Sequence, residues 1–419
     1  MENQKPKQRY TLKVLNFRDA DDFYMHLGQR DANSKHFWRF GDDNCFPDAV
    51  ATLNRRSPIH RGILNSKIGY LVGKKFLHND RNSNLEAFVK DCNGRRQSLK
   101  DVMRRVWFDK KAFGNAYIEI VRDRSGKFIN LFHQDALKCR LSKDKSEILL
   151  YHDWPAYTDQ FKDKLKRLPV YPVFADPQNT GFERSIYHIK EYEPGFENYG
   201  LMDWFSGMRV GAIAYKTSKW NISRLDNSFH SSGVLLIDGN FDNPENAEKF
   251  QDDVEEEFTG EDNQGKILSI TSTRTDGKEN GSKFIPLSLD YDGDWKELQS
   301  QSTTELIIAH GWFRALTSLP DNTGFDVKRI LNEYNIAMST VIADEQETML
   351  DILKEILNSQ AGLDVSDLAI LNKPPTTDRP PYMKIWEARE SDGLDFDKDD
   401  PEQQAYIGTI TAAKAKTDA

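Results

Sequence analysis

A chain of 419 residues has room for about two to four domains, and 29% charged against 38% apolar side chains, with a mean hydropathy of −0.69, reads as a soluble protein with much polar surface. A formal net charge of −9 argues against a general nucleic-acid binder, whose footprint is basic. No run of about 18 apolar residues exists to span a membrane, Met1–Arg9 carries no secretion signal, and Cys45, Cys92 and Cys139 stand too far apart for a disulfide framework or zinc site, which fits a reducing interior.

Residues 1–9 read as a loose arm. The segment Asp48–Lys75 reads as helical, with Ser57-Pro58 as an internal start signal and Ile59, Ile63, Ile68, Leu71 and Val72 on one side. Leu99–Phe113 is predicted as a second amphipathic helix on Val102, Val106, Trp107 and Ala112, stopped by Gly114-Asn115. Ala116–Val121 alternates as a strand, Arg122–Lys127 turns at Ser125-Gly126, and Phe128–Phe132 returns. Leu149–His152 and Ser185–Glu191 are further strands, so residues 1–198 form an α+β body of antiparallel character.

From Tyr199-Gly200 onward, apolar residues fall at heptad spacing: Leu201, Met208, Tyr215, Ile222 and Phe229, with Trp204, Phe205, Ala212 and Leu225 beside them. Helical throughout, about 30 residues give a rod about 45 Å long whose seam needs a partner. An insert follows, with strand Gly233–Ile237, a short helix from Asn243-Pro244 through Phe258, and strands Lys266–Ile270 and Lys283–Leu289. Between Asp242 and Asp262 ten acids stand against Lys249 alone, so this segment carries the whole charge imbalance. A helix over Asp294–His310, apolar at Leu298, Leu306, Ile307 and Ile308, closes at Gly311. Leu316–Phe325 reads as a loop, and a long helix runs from about Asp326 to Asn358 on Ile330, Leu331, Tyr334, Met338, Val341, Ile342, Leu350, Leu353 and Leu357. Pro374-Pro375, Pro380-Pro381 and the acidic stretch Asp392–Glu402 make 373–419 a linker and a poorly folded tail with little core of its own.

Site motifs are few. Gly260, Gly265 and Lys266 share the spacing of a phosphate-cradling loop, but Ile267 replaces the magnesium-holding hydroxyl, Glu261 and Asp262 repel phosphate, and the lysine leads into a strand. Asp290, Asp292 and Asp294 resemble a calcium loop, yet Gly293 is misplaced and Gln301 stands where a bidentate glutamate belongs. A turn into a helix capped by Asp294 accounts for them better. Nine histidines stand singly without HExxH; His133 and His188 read as satisfied structural residues, and His310 as a helix-closing, partly cationic imidazole. No catalytic residue, metal ligand or cofactor site is assigned. Basic runs at Arg104, Arg105, Lys110 and Lys111, and at Lys162, Lys164, Lys166 and Arg167, are interleaved with acids and read as solvated faces. On the rod, Lys216, Lys219 and Arg224 would be a polar face in a monomer and a belt in a ring.

Four blocks occur in order: Asp109–Phe132 (DKKAFGNAYIEIVRDRSGKFINLF), Ile186–Trp204 (IYHIKEYEPGFENYGLMDW), Gly265–Ile270 (GKILSI) and Glu305–Leu319 (ELIIAHGWFRALTSL). Their content and spacing are similar to the portal protein family of tailed bacteriophages, over about residues 50 to 358. Two departures stand out: the family often has Pro shortly after the His-Gly, where this chain has Trp312-Phe313, and Ser-Pro after the Tyr-Gly, where it has Leu201-Met202.

The resemblance implies an α+β ring subunit. It would have a wing with N-terminal arm (1–198), stem helices (199–232 and 292–312), a clip (233–291) and a tunnel loop (313–327). A tunnel-loop helix and partial crown (328–372) and a linker with C-terminal tail (373–419) would complete it. It further implies a non-enzymatic ring, typically of twelve copies, at one capsid vertex of the virion, assembled in the host cytoplasm. Double-stranded DNA would pass through it during packaging and ejection, and the terminase large subunit, major capsid protein and head-tail adaptor would dock on it. Tunnel-loop residues would be Arg314, Leu316, Thr317, Ser318, Leu319, Pro320, Asp321, Asn322, Thr323, Gly324 and Phe325, and Lys216, Lys219 and Arg224 would line the stem. The clip's acidic surface would be Asp252, Asp253, Glu255, Glu256 and Glu257, a wall on which a sliding polyanion does not stick. The seam starting at Leu201 is expected to be covered by sister copies. Two rivals stand beside this reading: a nucleic-acid-processing enzyme with a dispersed active site, and another head-tail structural component such as a connector.

Overall fold

Proline, glycine and side-chain caps set most helix boundaries in the computed structural model, which describes residues 35–79, 82–122, 129–171, 184–215, 233–237, 268–271, 283–286, 292–317, 327–358, 363–375, 383–392 and 397–406. The chain divides into two compact units: Met1–Leu64 with Arg105–Ser125 and Asn130–Gly311, and Asn65–Arg104 with Gly126–Ile129 and Trp312–Ala419.

The segment expected as one helix over Asp48–Lys75 is two, α1 (Phe46–Arg56) and α2 (Pro58–Leu71). Pro58 disfavours helical backbone at the residue before it, and Ser57 is extended at φ −96°, ψ 103°. Ser57 then serves both helices: its N–H donates to Leu53 O at 2.9 Å, and its carbonyl and hydroxyl accept from the Arg61 and His60 N–H groups. The helix α2 stops at Leu71, and Gly73 turns the chain at φ +69° into strand β1 (Lys75–Leu77). Helix α3 (Ser83–Lys90), capped by the Asn82 side chain on Leu85 N at 3.1 Å, was not anticipated. Helix α4 (Leu99–Phe113) has the expected bounds and ends at Gly114, φ +72°.

In the first unit, β2 (Asn115–Arg122) is the middle strand of a three-stranded sheet between β3 (Ile129–Gln134) and β7 (Arg184–Lys190). Its antiparallel register with β7 pairs Asn115 with Lys190 and Val121 with Arg184. Residues 115–120 are buried without alternation, so both faces of this strand are covered. Strands β4 (Cys139–Leu141), β5 (Glu147–Leu150) and β6 (Lys166–Pro169) form an antiparallel meander. Phe37, Leu149, Tyr151, Trp154 and Leu165 pack into a core cluster, with the Phe37 and Trp154 ring centroids 4.8 Å apart. Lys162, Lys164, Lys166 and Arg167 are exposed, as expected of a solvated face, whereas Lys110 and Lys111 are buried and correct that expectation.

The rod does not begin as a helix at Leu201. Leu201 and Met202 are irregular, Phe205–Gly207 is a 3-10 turn, and α5 starts at 208 and is described to 215. The insert contributes strands β8 (Gly233–Ile237), β9 (Leu268–Thr271) and β10 (Lys283–Pro286), in order β10-β8-β9, with β8 antiparallel to β10 and parallel to β9. Its expected helix at 243–258 lies outside the described residues. Helix α6 (Asp292–Ala309) starts two residues before Asp294, which is therefore inside the first turn and not its cap.

In the second unit, β1 pairs antiparallel with β11 (Ala369–Leu371), and Gly73 fits beneath this pair because a Cβ there would lie 2.4 Å from Ile370. The long helix expected over 326–358 is three pieces: α7 (Val327–Ala337), a π-turn at Met338–Ile342, and α8 (Ala343–Asn358). Ser339 and Thr340 hydroxyls donate back to Ile336 O at 3.0 and 2.8 Å, competing for the carbonyl that a regular ladder would use. The tail is more folded than anticipated. Helix α9 (Ile385–Asp392) buries Ala388, Lys384 bridges to Tyr406, and the Trp386 N–H donates to Gln403 O at 3.0 Å.

Candidate functional site

Two of the motif blocks interlock where α4 meets β2. Asn115 Nδ2 donates to Gly200 O at 2.8 Å, and its Oδ1 accepts from Gly200 N at 2.9 Å, so one side chain reads the Gly200 backbone in both directions. Glu191 N donates to Gly114 O at 2.8 Å. Neither glycine has room for a side chain: a Cβ on Gly114 would stand 2.4 Å from the Leu201 carbonyl carbon, and one on Gly200 would stand 2.4 Å from the Glu191 and Gly114 oxygens. Leu201 packs on Gly114, and Tyr199 donates to Trp38 O and accepts from Leu141 N.

That junction aims the chain into a seat for α5 and α6. Lys111 Nζ sits 2.5 Å from Glu191 Oε1 and 3.2 Å from Asp203 Oδ2, and Lys110 lies 3.2 Å from the same Glu191 oxygen. Within the basic run Arg104 and Arg105 are exposed as expected, whereas the Lys110 and Lys111 ammonium groups are buried because acids from two other segments compensate them. Trp204 Nε1 donates to Lys111 O at 2.8 Å, and its ring lies flat on His310, centroids 5.3 Å apart at 17°. Leu201, Trp204, Met208 and Ala212 are all buried within this one chain, which overturns the expectation that sister copies cover the start of the seam. Tyr215 is half-buried beside Arg56, and Ile222, Leu225 and Phe229 lie outside the described residues.

The seat is closed by small residues. A Cβ on Gly207 would come within 2.6 Å of the Ala309 Cβ, and one on Gly211 within 3.4 Å of Leu53, so the 3-10 turn that leads into α5 lies tightly against α6 and α5 itself lies in contact with α1. On α6, Leu306 and Ile307 face inward, whereas Ile308, expected on the same apolar side, is 71% exposed.

His310 is 1% exposed and does not behave as a solvated helix-end cation. Its Nε2 is 2.9 Å from His60 Nδ1, and His60 Nε2 contacts Asn54 Oδ1. With Asn54 accepting from His60 Nε2, His60 Nδ1 is left to accept from His310 Nε2–H. Burial, reinforced by the Arg61 charge, pulls His60 down to about 3, so it stays neutral. The other two histidines of interest are satisfied as anticipated: His133 Nε2 is 2.7 Å from Asp109 Oδ2 and His188 Nε2 is 3.1 Å from Asn115 Oδ1. Burial raises the Asp109 carboxyl, and it pushes the Cys92 thiol up to about 12, away from thiolate chemistry.

In the second unit a separate set of contacts anchors the entry to the expected tunnel loop. Ser66 Oγ donates to Leu316 O at 2.5 Å and accepts from Trp312 Nε1 at 3.2 Å. Glu333 on α7 accepts from Ala315 N at 2.7 Å through one oxygen and from Arg329 Nε at 2.9 Å through the other. Arg314–Leu316 form a 3-10 turn with Leu316 buried, and Thr317 Oγ1 donates to Arg314 O at 2.7 Å. The turn and α7 are therefore tied on both sides of the loop. Gln346 on α8 fixes the next helix by donating to Tyr70 O and Leu71 O at 3.3 and 3.0 Å and pairing with Asn372. Sequence reasoning missed Ser66, Glu333 and Gln346, since single polar residues on amphipathic helices give no signal of their own.

Of the expected site residues, Arg314, Leu316 and Thr317 are in this anchor. Ser318, Leu319, Pro320, Asp321, Asn322, Thr323, Gly324 and Phe325 lie outside the described residues, as do Lys216, Lys219, Arg224, Asp252, Asp253, Glu255, Glu256 and Glu257. Among the described residues no group of three or more His, Cys, Asp or Glu could hold a metal ion, and no helix is long and apolar enough to cross a membrane.

Two curated relatives are uncharacterized proteins, one of Rickettsia bellii, 26% identical over 251 residues, and one of Rickettsia felis, 24% identical over 253. The matches cover 59% and 60% of this chain, and the chain spans 57% of the length of each relative. Among solved structures, the neck of an empty gene transfer agent particle computed with C6 symmetry is similar over 83% of this chain and 94% of that one, at 15% identity and TM-score 0.49. The neck of the native particle computed with C12 symmetry gives 84% and 95% coverage, 15% identity and TM-score 0.48. A HK97-family phage portal protein from Corynebacterium diphtheriae gives 68% and 84% coverage, 12% identity and TM-score 0.40. The phage portal protein family model matches residues 77–306, more than half of the sequence and continuous from the end of β1 through the β3-β2-β7 sheet, the insert and most of α6. The chain belongs to the phage portal protein family.

Proposed function

We propose that this chain is one subunit of a ring, of about twelve copies by the family resemblance, set at a single capsid vertex of a virion and assembled in the host cytoplasm. Double-stranded DNA passes through its channel during packaging and ejection. The ring is a structural conduit, and the work of translocation belongs to a separate terminase. Residues 1–198 act as the wing, 199–232 and 292–312 as the stem, 233–291 as the clip, 313–327 as the tunnel loop, 328–372 as its helix and partial crown, and 373–419 as linker and tail. The clip, with Asp252, Asp253, Glu255, Glu256 and Glu257, meets the terminase large subunit and later the head-tail adaptor, and the wing meets the major capsid protein. Lys216, Lys219, Arg224 and Arg314 are the cations that touch DNA.

The observation that carries this reading is the family match over residues 77–306, which spans wing, stem, insert and stem in one run. Two features support it. The stem helices are seated by close packing at Gly207 and Gly211, which fixes their direction, and Ile308 presents 71% of its surface on α6, where a neighbouring copy can bury it. Negative-stain imaging of the purified full chain tests the proposal. Rings of about twelvefold symmetry with a central hole are expected, and a well-folded solitary particle under virion-assembly conditions would overturn it.

A further inference from the structure

Four arginines of the first unit form an exposed array that the reading above leaves unused. Arg55 and Arg56 end α1, Arg61 lies in the first turns of α2, and Arg105 lies on α4 one turn before Phe108; all four are exposed. The Arg61 guanidinium stacks 4.4 Å above the Phe108 ring, which brings the α2 and α4 cations onto one surface. Arg56 donates to Tyr215 OH at 3.2 Å and lies 5.4 Å from that ring's centroid. Aromatic rings hold two of the guanidinium planes while their charges face water.

Among the described residues no carboxylate pairs directly with the array, and the Asp48 carboxyl feels the Arg55 charge only at longer range. Asp48 is the single acid of α1, and α2 has none in its first turn. The Arg55 charge adds to burial in lowering Arg61, so the cations repel each other. Arg61 also sits at the positive end of α2, where a cation is unfavourable and an anion favourable. Such a constellation stores electrostatic cost that a polyanion relieves. In sequence the basic character continues, since Tyr215 is followed by Lys216, Lys219 and Arg224.

We propose that Arg55, Arg56, Arg61 and Arg105 are a duplex-DNA contact, in a molecule whose overall charge is otherwise repulsive to DNA. This rests on the portal reading. Guanidinium groups held by aromatic faces and lacking acid partners suit phosphate oxygens, and the contact would be indifferent to base sequence.

The test uses the assembled full-length protein and a fluorescent mixed-sequence DNA duplex, with anisotropy recorded between about 50 and about 200 mM salt. The quadruple variant R55Q/R56Q/R61Q/R105Q should bind at least about tenfold more weakly, and its salt slope should fall by about 3 to 4, near one per lost phosphate contact. The corresponding Lys variant should keep the slope, because it keeps the charge. Unchanged affinity and slope in the Gln variant, with rings intact by imaging, would overturn the proposal and leave the portal reading standing. Loss of the ring with duplex binding preserved would also overturn it, assigning the arginines to acids of a neighbouring protein. If the wild-type chain makes no ring at all, it is the portal reading that fails.

Discussion

The helix seat and the loop anchor hold the chain by different physics. In the seat, Trp204, Met208 and Leu306 are buried, Gly207 lies against Ala309, and position is fixed by shape. The anchor depends on a few polar contacts, Ser66 to Leu316 and Trp312, and Glu333 to Ala315 and Arg329. Close-packed atoms have no substitute partner, whereas a hydrogen bond at a half-buried site can be exchanged for one to water at modest net cost. The helices α5 and α6 are thus set rigidly where they leave the first unit's sheet, while the segment entering the loop is tied by contacts that can open locally.

The sharpest way to break this contrast is to add atoms where none fit. Gly114→Val combines a positive φ of 72° with a Cβ 2.4 Å from the Leu201 backbone, so it should cost more than about 4 kcal/mol and yield little folded protein. A thermal midpoint within a few degrees of wild type would show that the junction yields, and the contrast would lose its rigid half. Gly207→Ala is milder, at about 1–3 kcal/mol, because the obstructing atom is the Ala309 Cβ. Ala309→Gly in the same molecule should recover most of that loss; additive costs in the double-mutant cycle would mean the two helices do not meet there.

Next in size is a pH effect confined to the seat. The folded value for His60 is about 3 against 6.5 for the free side chain, so between those values the unfolded chain binds a proton that the folded chain refuses. Stability is therefore full above about pH 6.5 and falls as pH drops, by about 1.4 kcal/mol per unit from this residue. Denaturant midpoints for wild type and His60→Gln from about pH 7 to about pH 5 should diverge in slope by that amount. Parallel curves would mean water reaches the His60–His310 pair.

Much of the seat's backbone was legible in sequence, and its packing was not. Leu99–Phe113 was readable because its apolar period and the Gly114 stop agree, and strands β2 and β7 because β-branched and aromatic residues cluster between turns. The heptad positions Leu201 and Met208 were readable as apolar but misread as one continuous seam. Periodicity cannot distinguish a helix turn from an irregular segment that Asn115 and Lys111 pin by hydrogen bonds across more than eighty residues of chain. The π-turn at Met338–Ile342 escaped for a related reason: one extra residue per turn shifts the apolar pattern too little to see in a single helix. Lys110 and Lys111 were read as surface because their acids, Glu191 and Asp203, arrive from distant segments.

The smallest effect falls on the anchor and is the most informative about the loop. Glu333→Gln keeps the side chain's shape and can keep one acceptor, so global stability should drop by no more than about 1 kcal/mol. Yet the carboxylate now accepts from Ala315 N at 2.7 Å and Arg329 at 2.9 Å together, and a neutral amide holds a backbone N–H and a guanidinium less strongly than an anion does. Amide hydrogen exchange at Ala315 should therefore quicken by about tenfold while exchange at Trp204, in the seat, stays at its wild-type rate. Equal acceleration at both places would mean that the two regions open as one cooperative unit, and shape-fixed seat and bond-tied anchor would then be a single device.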